Sequence, residues 1–177
     1  MDHSYPSEAK IEHVDPRLYV DAMGAAATSV SIVTTLGTTG RLGITVSALA
    51  SVSAEPPLLL VCVHRRNPSV AAITQNGRFA VNILSEHQSD VARSFSGKPA
   101  TGAPYDFRYE DWRESEFGLP ILVSAAANFV CETDSIHDAG THRIFIGRVM
   151  AAVRGTHAPL IYSSRAFGRT APFDGGN

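Results

Sequence analysis

Two β-branched runs, SVSIVTT at 29–35 and RLGITVS at 41–47, flank the turn-forming GTTG at 37–40. Side chains branched at Cβ suit an extended, pleated backbone, and the glycines permit a tight reversal, so this stretch predicts a hairpin. The same grammar recurs along the chain. Pro56-Pro57 punctuates before a buried strand at 58–64, and RFAVNIL at 78–84 reads as another. Three more strands fit 121–136, 142–154 and 159–164, the first two joined by the turn HDAGTH at 137–142. Strands joined mostly by hairpins predict a mainly β fold, an antiparallel barrel with a few short helices. Strand–helix–strand alternation occurs only around 58–84, so a doubly wound sheet ranks second.

Helix signals are sparse. Asp15 followed by Pro16 starts a helix over 15–26, with Leu18, Ala22 and Ala25 on one face and Tyr19 and Met23 beside them. Asn67-Pro68 caps a short helix that ends at Gly77. Ser85 with Gln88 forms a capping-box pattern, opening a helix that stacks Val91 on Phe95 and closes at Gly97. Pro99, Gly102 and Pro104 predict an irregular surface excursion over 98–120. Residues 1–13 read as a flexible arm, 14–168 as one domain and 169–177 as a flexible tail.

A length of 177 residues suits one substantial core, and the formal charge of −2 calls for neither nucleic acid nor an anionic membrane as partner. No apolar run approaches the ~20 residues a membrane helix needs. The polar, acidic N-terminus is unlike a secretory signal, and Cys62 and Cys131 sit in apolar strands, as reduced core thiols do. Both features point to the cytoplasm. No GxGxxG, GxxxxGK[ST] or GxSxG motif is present. His137 and His142 lack a third ligand nearby in sequence, so no metal is expected. Glu114 and Glu116 fall in a polar loop.

The unusual segment is GITVSALASVSAEPP at 43–57. Its small side chains let backbone N–H and C=O groups reach the polar edge of a flat ligand. Thr45, Ser47, Ser51 and Ser53 offer hydroxyls, and Arg65 and Arg66 just beyond can neutralise a phosphate. An exposed, Ser/Thr-rich barrel face reads the same way from composition alone.

Five blocks in order, VDAMGAAATSVSIVTT, GITVSALASVSAEPPLLLVCVHRRNPS, GRFAVNILSEHQSDVARSFSG, GTHRIFIGRVMA and PLIYSSRAFG, resemble the short-chain flavin reductase family across about residues 16–168. Its members are the reductase components of two-component flavin monooxygenases. The resemblance implies an FMN-binding split β-barrel with Greek-key-like connections, a homodimer, FMN or FAD as flavin, and NADH or NADPH as co-substrate. It assigns flavin contact to Thr28, Val30, Ser31, Thr45, Ser47, Ala48, Ser51, Val52, Ser53 and Arg65. It places His142, Tyr162 and Phe167 in the nicotinamide pocket, with His142 as the positioning residue. Tyr162 and Phe167 also fit a core or interface, and His142 a strand-end brace. Ser29 stands where the family usually has glycine, Ala48 where it often has serine, and Thr141 where it frequently has aspartate. Rival readings are an oxidase or ferric reductase with tightly held flavin, and a non-catalytic flavin carrier.

Overall fold

The computed structural model describes residues 14–172, so the expected N-terminal arm and the last five tail residues lie outside the described residues. In chain order the elements are α1 (Pro16–Met23), β1 (Thr28–Ser29), β2 (Ser31–Gly37), β3 (Gly40–Val46), β4 (Leu49–Ala54), β5 (Pro57–His64), α2 (Pro68–Asn76), β6 (Arg78–Ile83), α3 (Ser89–Phe95), β7 (Trp112–Glu114), β8 (Pro120–Leu122), β9 (Ala127–Ala139), β10 (His142–Arg154), β11 (Leu160–Ser163) and β12 (Ala166–Arg169). Seven strands form one sheet in the order β3-β2-β6-β9-β10-β5-β4, and every ladder in it is antiparallel. This is the expected mainly β, split-barrel architecture, and the doubly wound alternative falls. The two edge strands, β3 and β4, are consecutive in sequence but not paired with each other. The barrel is split at that seam, which is also the middle of the small-residue segment.

Two cores sandwich β2, next to the edge of the sheet. Val33, Val61, Val63, Ile73, Phe79, Val81 and Phe145 fill the barrel, closed by α2. Ile32, Leu84, Val91, Phe95, Trp112, Leu122 and Leu160 form a second core outside it, under α3. Residues Ser31–Thr35 are therefore all buried, a strand covered on both faces. Phe95, Phe107 and Trp112 pack edge-on or tilted, with centroids 4.9–5.5 Å apart. Gly43 makes room for them: a methyl there would come within 2.7 Å of the Phe95 ring.

Element boundaries shift for identifiable reasons. α1 stops at Met23 rather than at 26, leaving Ala25 outside, and buries none of its residues. The capping box forms a turn before its helix: Gln88 Oε1 accepts from Ser85 N–H at 2.8 Å, and α3 opens only at Ser89. The single strand expected over 121–136 is two, β8 and β9. Asn82, buried on the outward face of β6, holds the intervening bend, its Oδ1 accepting from Leu122 N–H and from Asn128 Nδ2, both at 2.8 Å. The excursion over 98–120 contains a 3₁₀ turn at Phe107–Tyr109 and β7, which pairs β8. The turn between β9 and β10 is only Gly140-Thr141. β4 and β12 were not foreseen as strands, and β12 runs one residue into the expected tail.

Candidate functional site

A cavity of about 770 Å³ opens between the end of β3, α3 and the β11–β12 hairpin. Its floor is Val30, Val46 and Ala92, and its wall is the Tyr162–Phe167 pair, whose rings are tilted with centroids 5.4 Å apart. The hairpin is fixed to the barrel through Val30. Val30 N–H donates to Leu160 C=O, and Leu84 N–H donates to Val30 C=O, each at 2.9 Å. The helix is fixed by Thr45, whose Oγ1 donates to Ala92 C=O at 2.8 Å. Five residues expected on sequence grounds thus meet in one place: Val30, Thr45, Ser47, Tyr162 and Phe167. Thr28 pairs with Tyr162 across the β1–β11 ladder at its border. Ser31 is fully buried and its Oγ has no partner, so it supports this region from the core side.

The remaining expected residues lie elsewhere on the same chain. Ala48 is exposed at the seam, its C=O accepting from Cys62 N–H at 3.1 Å. Ser51 and Ser53 line a groove of about 480 Å³ along β4 and β5. Val52 is the extra residue of a β-bulge between them, its side chain exposed. Arg65 lines a third concavity with His64, Arg66, Gly140 and Thr141.

His142 stands beside that concavity, next to Thr141 and opposite His64 in the β5–β10 register. The two imidazoles meet edge to face, centroids 5.3 Å apart. Thr141 Oγ1 lies 2.9 Å from His142 Nδ1, so the hydroxyl does the orienting work that an aspartate would do. His64 Nδ1 accepts from Arg66 N–H at 3.3 Å, which leaves its Nε2 to carry the proton. Arg65 is braced on Gly140 C=O at 3.2 Å. The nearby Asp138 is engaged by Arg143 at 2.7 and 3.1 Å, and those bonds hold its carboxyl below the usual range.

Several residues of these sites escape sequence reasoning. Arg93, Lys98 and Arg165 line the main cavity, and His64 faces His142. Arg93 does carry a local signal: it lies between the buried Val91 and Phe95 of α3 yet is exposed. Arg165 and His64 become neighbours of the sites only through long-range pairing. The two thiols are not reactive candidates. Burial pushes Cys131 up to about 12 and raises Cys62, so neither forms a thiolate readily.

A family profile described as "Flavin reductase like domain" matches residues 23–171. The chain belongs to this family. It is 40% identical over 169 residues to the FMN reductase (NADH) RutF of Methylorubrum extorquens, covering 94% of this chain and 80% of that protein. It is 35% identical over 159 residues to HsaB of Rhodococcus jostii, the reductase subunit of a flavin-dependent monooxygenase, covering 89% and 80%. Among solved structures, the NADH:FAD oxidoreductase SgcE6 of Streptomyces globisporus superposes with a TM-score of 0.80 at 32% identity, over 91% of this chain and 98% of that one. The flavin reductase fold thus extends over nearly all the described residues, cavity included.

Proposed function

We propose that this flavin reductase-family chain is an NAD(P)H:flavin oxidoreductase that releases reduced flavin to a partner monooxygenase. One observation carries the reading: residues assigned to flavin (Val30, Thr45, Ser47) and to nicotinamide (Tyr162, Phe167) line one cavity of about 770 Å³. Hydride transfer needs two flat rings held face to face, and a cavity furnished for both meets that need. The names of its relatives favour NADH as donor and FMN as acceptor, while SgcE6 is named for FAD.

The pocket fits such ligands. Its apolar floor and aromatic wall suit flat rings, and Arg93, Lys98 and Arg165 at its rim suit their phosphates. Bound flavin supplies the redox chemistry, so the protein needs no nucleophile of its own. Tyr162 and Phe167 orient a ring against the cavity floor. Ser47 and Ala48, in the bend between β3 and β4, have their carbonyls engaged and present N–H groups to a ring edge that gathers negative charge on reduction. His142, held by Thr141, offers its free Nε2 edge to position the nicotinamide. His142 is not among the described residues that line the cavity of Tyr162 and Phe167, an arrangement that suits a site completed by a second copy. Two free thiols suit a reducing cytoplasm as the place of work. No described helix is long and apolar enough to cross a membrane.

Steady-state turnover of added FMN or FAD with NADH tests the reading. Consumption of many equivalents of NADH per protein is expected. Oxidation of a single equivalent would indicate a tightly held flavin, and flavin binding without NADH loss would indicate a carrier.

A further inference from the structure

β5 ends where β10 begins, and their register sets His64 directly opposite His142. Arg65 N–H donates to Thr141 C=O at 3.0 Å. That bond runs from the residue after His64 to the residue before His142, so the two histidines form a non-hydrogen-bonded pair. This is the arrangement that brings opposing side chains closest. Their rings meet at 79° with centroids 5.3 Å apart, although both residues are exposed.

Each ring is held from its own side. Arg66 N–H donates to His64 Nδ1 at 3.3 Å, and Thr141 Oγ1 lies 2.9 Å from His142 Nδ1. A backbone N–H two residues on is just as well accepted by asparagine, whose shorter side chain forms such turns readily. The imidazole of His64 adds what asparagine lacks, an aromatic ring against His142.

We propose that His64 is a positioning residue for the hydride donor: its ring buttresses His142, so that His142 meets the reduced nicotinamide in one orientation. The proposal rests on the flavin reductase reading and on His142 as the neighbour of the nicotinamide. His64 acts only through the second ring. An exposed side chain at a strand end otherwise samples several rotamers, and hydride transfer depends steeply on how the donor is held. A neighbour that narrows the choice raises the fraction of chains ready to react.

A double-mutant cycle on the full chain tests this. Steady-state NADH kinetics, an FMN fluorescence titration and a melting curve are measured for wild type, His64→Asn, His64→Phe, His142→Ala and the His64→Asn/His142→Ala double variant. Asparagine keeps an acceptor for Arg66 N–H and removes the ring, whereas phenylalanine keeps a ring and removes the acceptor. His64→Asn should lower kcat/KM for NADH roughly two- to fivefold, the scale of one aromatic contact. FMN affinity and melting temperature should hold. His64→Phe should retain most of the wild-type value. With His142 already alanine, His64→Asn should change nothing further, because no ring is left to hold.

Wild-type kinetics in a folded His64→Asn overturn the proposal. So does an undiminished effect of His64→Asn in the His142→Ala background, which would place His64 in direct contact with substrate. Loss of NADH use in His64→Phe with retention in His64→Asn would assign His64 to its turn, and overturns it too. A wild type without NADH turnover, or a folded His142→Ala with wild-type kinetics, would instead sink the reading on which the proposal rests.

Discussion

His142 shows how much one hydroxyl can settle. The ring is exposed on a strand end, so nothing in the core fixes it; the Thr141 contact at 2.9 Å and the edge of His64 do. If His142 positions the nicotinamide, His142→Ala should lower kcat/KM for NADH roughly three- to tenfold, the worth of one neutral hydrogen bond of about 0.5–1.5 kcal/mol. Flavin affinity should hold, and the melting temperature should move little because the side chain buries nothing. Thr141→Val should shift kcat/KM in the same direction by less. Wild-type kcat/KM in a folded His142→Ala would assign the ring to the turn alone.

At the level of elements, the cavity depends on where α3 sits, and α3 is seated by Phe95. That ring packs against the bare Cα of Gly43 on β3, beside Phe107 and Trp112. Gly43→Ala would force the ring away and overpack the outer core, costing about 1–3 kcal/mol. Since α3 also carries Arg93 and receives the Thr45 hydrogen bond, flavin KM should rise along with the loss of thermal stability. An unchanged KM in a destabilised Gly43→Ala would show that the cavity tolerates movement of α3. The hairpin of β2 and β3 and the buried strand β5 were legible because turn glycines and a short apolar run behind Pro56-Pro57 are local signals. The break between β8 and β9 was not, because it is set by Asn82, some forty residues upstream, reaching across the sheet. β4 was read as a ligand-facing segment rather than a strand for a related reason. Its small and hydroxyl side chains speak of solvent or ligand, while its ladder to β5 rests on backbone bonds that side chains do not announce. The cavity was half legible: the blocks carried Val30, Thr45, Ser47, Tyr162 and Phe167, but its cations arrive from a helix surface and a turn tip whose local patterns signal only exposure.

The whole molecule leaves apolar surface without a cover. Grooves of about 720 and 480 Å³ share Ile83, Phe129 and Ala152, so they form one continuous strip along β10 and β4. Met150, Val153 and Val52 are exposed on the same strands, at 47, 60 and 44%. Leu18, Tyr19, Val20 and Met23 stand out on α1, an amphipathic helix that buries no residue against the rest of the described residues. Monomeric proteins rarely leave apolar strips of this kind in water, and an isologous contact between two copies would cover one. The strip includes Ser51 and Ser53, which the family resemblance assigns to flavin, so a contact between copies there would complete the site as it forms. Light scattering at micromolar concentration should therefore give twice the 18.9 kDa chain mass. A glutamate on the strip, Val153→Glu beside the shared Ala152, would bury two unpaired carboxylates in a contact between copies and should shift the protein toward monomer. Flavin turnover should fall in proportion to the dimer lost and recover at high protein concentration. A monomeric Val153→Glu with full turnover would separate the strip from the site and leave each chain to bind both substrates alone.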